Sequence, residues 1–256
     1  MSEAVLIYSV ADGVATLTLN RPEKRNALNA ELVQALKKGL AEAAEDPAVR
    51  VVAITGAGQD FCSGADLAEL RAMSEKSAEE NLADARSLGA LFSQMRRHPR
   101  PIVALVKGRA LAGGCGLATA CDVVLARSDA EFGYPEVHLG FVPALVMAIL
   151  RRKIGEGRTF DLVAMGERFS AAEGERLGLV NRVYESFTFK SEANNYVAAV
   201  AARPVSAITL TKTLLYELDG MDFQDGIDRA AEVNAEARMT AECREGVRRF
   251  LDRSKG

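Results

Sequence analysis

The stretch Ile102-Val103-Ala104-Leu105-Val106-Lys107-Gly108-Arg109-Ala110-Leu111-Ala112-Gly113-Gly114-Cys115-Gly116-Leu117 decides how this chain folds. Its first five residues are apolar without alternation, the pattern of a strand buried on both faces. Lys107-Gly108-Arg109 breaks the run, and the glycines at 113, 114 and 116 lead into a short helix. The same order stands upstream. Val49 to Ile54, apolar but for Arg50, is a strand, Gly56-Ala57-Gly58 a turn, and Cys62-Ser63-Gly64-Ala65-Asp66 a second glycine-containing approach to a helix. Val123 to Ala126 adds a further apolar strand. Strand, loop and helix recur, so the fold class is α/β.

Working outward, Val5 to Tyr8 and Val14 to Leu19 are β-rich and separated by Asp12-Gly13, the composition of a hairpin turn. Asn29 is placed to cap a helix whose apolar residues Leu32, Val33, Leu36 and Leu40 recur at helical spacing up to Asp46-Pro47. Leu82, Ala85, Leu88, Leu91, Phe92 and Met95 mark a long amphipathic helix from about Ser77 to Arg97, stopped by Pro99 and Pro101. Beyond Pro143 the pattern is mostly helical: 143–153, 158–165, 171–177, 192–202, 204–218, 223–239 and 241–252. The last sixty or so residues read as helices that need a partner surface.

The 32 basic and 35 acidic residues balance, and the short clusters Arg151-Arg152-Lys153 and Arg248-Arg249 make no basic face, which disfavours nucleic acid as a partner. Cys62, Cys115, Cys121 and Cys243 lack metal-ligand spacing, and there are two histidines, so a zinc site is not expected. The longest apolar run, Phe141 to Leu150, is shorter than the ~20 residues that span a bilayer. These features read as a cytoplasmic protein with reduced thiols.

Both glycine-rich stretches sit where a helix begins. Unpaired backbone N–H groups there, with the positive end of the helix dipole, stabilise an oxygen that gains charge during a reaction. The alternative for Gly113, Gly114 and Gly116 is tight helix packing. Glu136, in a Gly- and Pro-bounded turn between Tyr134 and Val137, is placed to exchange protons if an apolar pocket raises its pKa. Ser63 as a nucleophile lacks both a GxSxG elbow and a base partner. His138 reads as a structural hydrogen-bonding residue.

Four segments taken together are specific: Asn20-Arg21-Pro22-Glu23-Lys24-Arg25-Asn26-Ala27-Leu28-Asn29, Phe61 to Leu67, Ala112 to Leu117 with Cys121-Asp122, and Pro135-Glu136-Val137. In order and spacing they resemble the crotonase family, the enoyl-CoA hydratases and isomerases. The resemblance implies a spiral of strand-strand-helix units over residues 1–195, then a helical oligomerisation region over 196–256, in a trimer or a dimer of trimers. It implies an acyl-CoA thioester as substrate, no metal or redox cofactor, and CoA only as part of the substrate. Carried over position by position, the N–H groups of Ser63 and Gly113 form the oxyanion hole and Glu136 is the acid/base. Ala27, Gly64, Ala65, Asp66, Leu67, Gly114, Gly116 and Tyr134 line the substrate. Lys24 and Arg25 are candidate phosphate contacts, with solvated surface charge as the alternative. Phe250 and Arg253 fall where a neighbouring subunit's acyl or CoA tail is reached.

One departure shapes the expected chemistry. Members with two glutamates carry the first at the position of Gly116, which here has no side chain. One-glutamate hydration by Glu136 is the leading reading, 3,2-enoyl-CoA isomerisation with Glu136 as single base is the second, and acyl-CoA binding without turnover is the third. Asn81 to Ala85, Cys115-Gly116-Leu117 and Glu136 to Ala144 resemble bacterial methylglutaconyl-CoA hydratases of leucine degradation, which share this glycine. Gly116 is therefore expected to vacate volume for a branched acyl chain. Arg71 or Arg109 is the candidate cation for a substrate carboxylate, and Glu69 or Tyr134 for a second proton-transfer group.

Overall fold

A computed structural model describes residues 4–253. Its elements in chain order are β1 (Leu6–Ala11), β2 (Val14–Leu19), α1 (Ala30–Glu45), β3 (Val51–Gly56), α2 (Leu67–Met73), α3 (Ala78–Arg97), β4 (Ile102–Val106), β5 (Arg109–Leu111), α4 (Gly113–Ala120), β6 (Val123–Arg127) and β7 (Glu131–Gly133). There follow α5 (Ala144–Ile154), α6 (Glu156–Met165), β8 (Arg168–Ser170), α7 (Ala171–Leu177), β9 (Arg182–Tyr184), α8 (Phe189–Ala201), α9 (Val205–Glu217), α10 (Phe223–Met239) and α11 (Ala241–Arg253).

The main sheet has the order β1-β2-β3-β4-β6-β9. Only the β1–β2 pair is antiparallel, and its turn residues Asp12 and Gly13 both have positive φ, as a two-residue hairpin with right-handed twist requires. Alternate residues of the central strands face opposite layers. Val52, Ile54, Ala104 and Val124 join the core with α1 and α3, while Val51, Val103 and Leu125 pack on Phe189, Ala193 and Val197 of α8. That is the reason those strands are apolar on both faces over residues 51–54, 102–106 and 123–126.

A second sheet, β5-β7-β8, stands apart from the first. Its strands and β9 are three residues each, too short to leave a period in the sequence, and they escape the sequence reading. The helical expectations agree with the structure more closely. Asn29 accepts the Leu32 N–H at the start of α1, and Ser77 with Glu80 forms a full capping box on α3.

The division at 195/196 needs correction. It cuts α8, whose apolar face is part of the sheet's core. The helices that extend the fold start with α9, anchored by Lys212, whose ammonium donates to Met95 O, Arg100 O and Asp122 Oδ2. From α11, Glu242 accepts the Val205 and Ser206 N–H groups, so it caps α9, whose own N-cap, Pro204, lacks a capping side chain. Among the described residues no helix is long and apolar enough to cross a membrane.

Candidate active site

The loop after β3 runs beside the segment before α1 as a short parallel ribbon. Ser63 N–H donates to Arg25 O (3.0 Å), Leu28 N–H to Gly64 O (2.7 Å) and Asp66 N–H to Leu28 O (2.9 Å). Leu28 and Ala65 form the bridge between them. In such a bridge the flanking groups of residues 64 and 66 turn toward Leu28, and the N–H of Ala65 itself turns away. Ser63 is therefore not a free donor: its N–H is held by Arg25. Ala65 N–H has no partner among the described residues, and Ala65 is exposed.

The ribbon is held by Asp66 together with two side chains, Arg21 and Asn26, that sequence reasoning left without a role. Asn26 is fully buried, accepts the Arg21 N–H and donates to Ala57 O and Asp60 O, both in the loop. Arg21 pairs with Asp66 at 2.6 Å, and Asp66 also caps α2 through the Ala68 N–H. The Ala68 N–H and then Arg21 hold the Asp66 carboxyl below its usual range, so Asp66 is a scaffold anion. A sequence signal for Asn26 exists, because Arg25 and Asn26 are both left-handed and asparagine tolerates that region.

On the loop's other side, Cys62 bridges Ala110 of β5, and β5 leads into α4. The first backbone bond of α4 is Gly116 N–H to Ala112 O, so the N–H groups of Gly113, Gly114 and Cys115 precede it without partners among the described residues. Gly113 is half-buried and Gly114 buried. At Gly114 a Cβ would run into the Cys62 carbonyl oxygen, so only glycine lets the two loops approach this closely. Ala112 holds φ 49°, ψ −127°, a backbone region that favours glycine, and this conformation turns the chain from β5 into the helix.

Glu136 lies in a short 3-10 helix, Pro135–Leu139, closed by left-handed Gly140. It is 9% exposed, and its Oε2 is buried with no hydrogen-bond partner. Burial pushes its carboxyl pKa above the ordinary range. Tyr134 is fully buried beside it in sequence, its hydroxyl 3.1 Å from Thr119 Oγ1, and burial drives that phenol well above its usual pKa. Burial likewise pushes the thiols of Cys62 and Cys115 up to about 12, so both are neutral packing groups.

Gly116 corrects another expectation. A Cβ there would lie 2.6 Å from Val146 Cγ2 and 3.5 Å from Phe92 Cζ. The space is filled by α3 and α5, and the missing side chain leaves no volume for an acyl branch. Val146 was invisible to sequence reasoning, because nothing local connects it to Gly116.

The remaining candidates separate. Lys24 and Arg25 are exposed and Ala27 is buried. Gly64 approaches Ala112, and the side chain of Leu67 lies outside the described residues. Arg109 reaches Glu131, as does Arg168, whereas Arg71 is exposed. Glu69 is drawn to Lys76 and the Ala30 N–H. His138 Nε2 meets Gly166 O at 3.2 Å, a structural contact.

The family model described as enoyl-CoA hydratase/isomerase matches residues 9–256. The chain belongs to the enoyl-CoA hydratase/isomerase family. A Thermus thermophilus relative named provisionally as an enoyl-CoA hydratase is 43% identical over 94% of this chain and 95% of its own length. The 2,3-dehydroadipyl-CoA hydratase of Escherichia coli is 35% identical over 99% of this chain and 97% of its own. The crystal structure of a Mycobacterium smegmatis enoyl-CoA hydratase superposes with a TM-score of 0.94 at 33% identity, covering 98% of this chain and 97% of that one. The two sheets and their helices are thus the crotonase fold.

Proposed function

We propose that the chain is an enoyl-CoA hydratase that reversibly adds water across the 2,3 double bond of an enoyl-CoA thioester with one carboxylate. The observation that carries the reading is the buried, unpartnered Oε2 of Glu136. A water held there loses a proton to the carboxylate as its oxygen bonds to C3, and the same carboxyl returns that proton to C2. The charge that collects on the thioester oxygen meets the N–H groups of Ala65 and Gly113, each worth about 3 to 4 kcal/mol in such a role. Lys24 and Arg25 are proposed to meet the CoA phosphates; no metal or redox group enters the chemistry.

Gly116 and Val146 favour a second reading. With an apolar wall where another carboxylate would stand, Glu136 serves equally as the single base of a 3,2-enoyl-CoA isomerase, moving a proton from C2 to C4 without water. We place the activity in the cytoplasm, supported by free cysteines at 62, 115, 121 and 243. A trimer or hexamer is supported by the exposed apolar residues Phe223, Ile227 and Val247 on α10 and α11.

The test follows loss of the conjugated enoyl-thioester absorbance of crotonyl-CoA and of 3-methylglutaconyl-CoA, with Glu136→Gln as control. Loss that vanishes in the control supports hydration and ranks straight against branched chains. Loss of neither substrate, with turnover of a 3-enoyl-CoA, assigns the isomerase; no turnover of any leaves acyl-CoA binding.

A further inference from the structure

Behind α4, away from its N-terminus, the ends of α3, α4, α5 and α9 enclose a cleft of about 400 Å³. Its charges do not balance. Asp122 is saturated: Oδ2 accepts from Ile102 N–H and Lys212 Nζ, and Oδ1 from the Tyr216 hydroxyl. Asp219 Oδ2 receives both Arg96 and Arg152. Among the described residues Lys153 donates only to a neutral acceptor, Cys121 O at 2.9 Å. The cleft itself is lined by three cations, Arg96, Arg152 and Lys153; the two arginines share Asp219 and are partly exposed, whereas Lys153 has no carboxylate partner among the described residues and burial lowers its pKa. Uncompensated charge held partly out of water is costly, and an anion in the cleft would offset that cost.

The rest of the lining is apolar, with Phe92, Ile149, Leu215 and Leu218. The size falls within the ~300–1,000 Å³ of small-molecule sites. We propose that this cleft binds an aliphatic carboxylate, its head on Arg152 and Lys153 and its chain on Phe92, Ile149 and Leu215. Two sources share that chemistry: a free carboxylate, and the ω-carboxylate of a CoA-linked acyl chain. The second rests on the hydratase reading. That tail would have to reach the cleft past Phe92, which packs against Gly116, and past buried Thr119, which meets the Tyr134 hydroxyl.

The test titrates hexanoate, with hexanol as the uncharged control, into the full chain and into Lys153→Met and Arg152→Gln by calorimetry. Crotonyl-CoA and 2,3-dehydroadipyl-CoA turnover are measured on the same proteins. Hexanoate binding at one site per chain, weakened about tenfold or more in both variants, establishes the free-carboxylate source. A KM for 2,3-dehydroadipyl-CoA that rises in both variants while crotonyl-CoA is untouched assigns the substrate's own tail. If hexanoate does not bind and both variants treat the two thioesters as the parent does, the cleft is not a carboxylate site. Hexanoate binding without turnover of either thioester overturns the hydratase reading and leaves the cleft standing.

Discussion

Gly116→Ala adds one carbon where the structure has no room for it. The new Cβ would meet Val146 Cγ2 at 2.6 Å, and Val146 is 4% exposed and stiff at χ1. Replacing an interior helical glycine by alanine gains about 1 kcal/mol, while overpacking costs about 1–3 kcal/mol, so the net loss is about 0–2 kcal/mol. Val146→Ala alone removes two buried carbons, about 1.6 kcal/mol of transfer plus a cavity contribution, so about 2–3 kcal/mol. In the double variant the methyl added at position 116 enters the space that Val146 gave up. The overpacking cost disappears and the cavity is partly refilled, so the two substitutions should couple favourably by about 1–3 kcal/mol. Urea unfolding of the four proteins measures this directly, with crotonyl-CoA turnover as a check on the site. Additivity within about 0.5 kcal/mol would refute the claim that Gly116 and Val146 share one filled space.

Further outcomes are expected at three residues. Glu136→Gln should lower turnover by about 10²–10⁴-fold. In the parent, kcat/KM should fall as pH drops through a value above the ordinary carboxylate range, because the base must be ionised. The same raised pKa makes Glu136 contribute stability below its unfolded pKa that is lost as pH rises through the folded value; Glu136→Gln should remove that slope from a series of melting curves. Ala112→Gly should raise Tm, since relief of about 1–3 kcal/mol of backbone strain exceeds the ~0.5–1 kcal/mol entropic cost of glycine; an unchanged or lower Tm contradicts the strained assignment. Lys212→Met should destabilise by about 3–5 kcal/mol, as it strips Asp122 of its cation; a change below about 1 kcal/mol in chemical unfolding would show that α9 is held by other contacts.

The readable parts were those settled by near neighbours. Strand positions 102–106, the Asn29 cap, the start of α3 near Ser77 and the 3.6-residue stripe of α1 each depend on residues within a turn or two, and each stands in the structure as expected. The glycine loops and Glu136 were visible as chemistry in search of a geometry. That geometry came from distant partners. Whether Ser63 or Ala65 presents a free N–H depends on which groups the Arg25–Leu28 segment engages, and pairing direction is not written in either segment alone. Whether Gly116 is a vacancy or a wall depends on Val146, brought there by the packing of α5 on α4. Whether Glu136 is a surface carboxylate or a desolvated base depends on what covers it, and its orphaned oxygen exists only in the folded chain. The sequence by itself determined the elements, their order and the residue types that could do chemistry, because those follow from short-range sterics and periodic burial. Only the tertiary structure decided which amides stay unpaired, which space is filled and which charge loses its water, because hydrogen bonding and desolvation are set by atoms far apart in the chain.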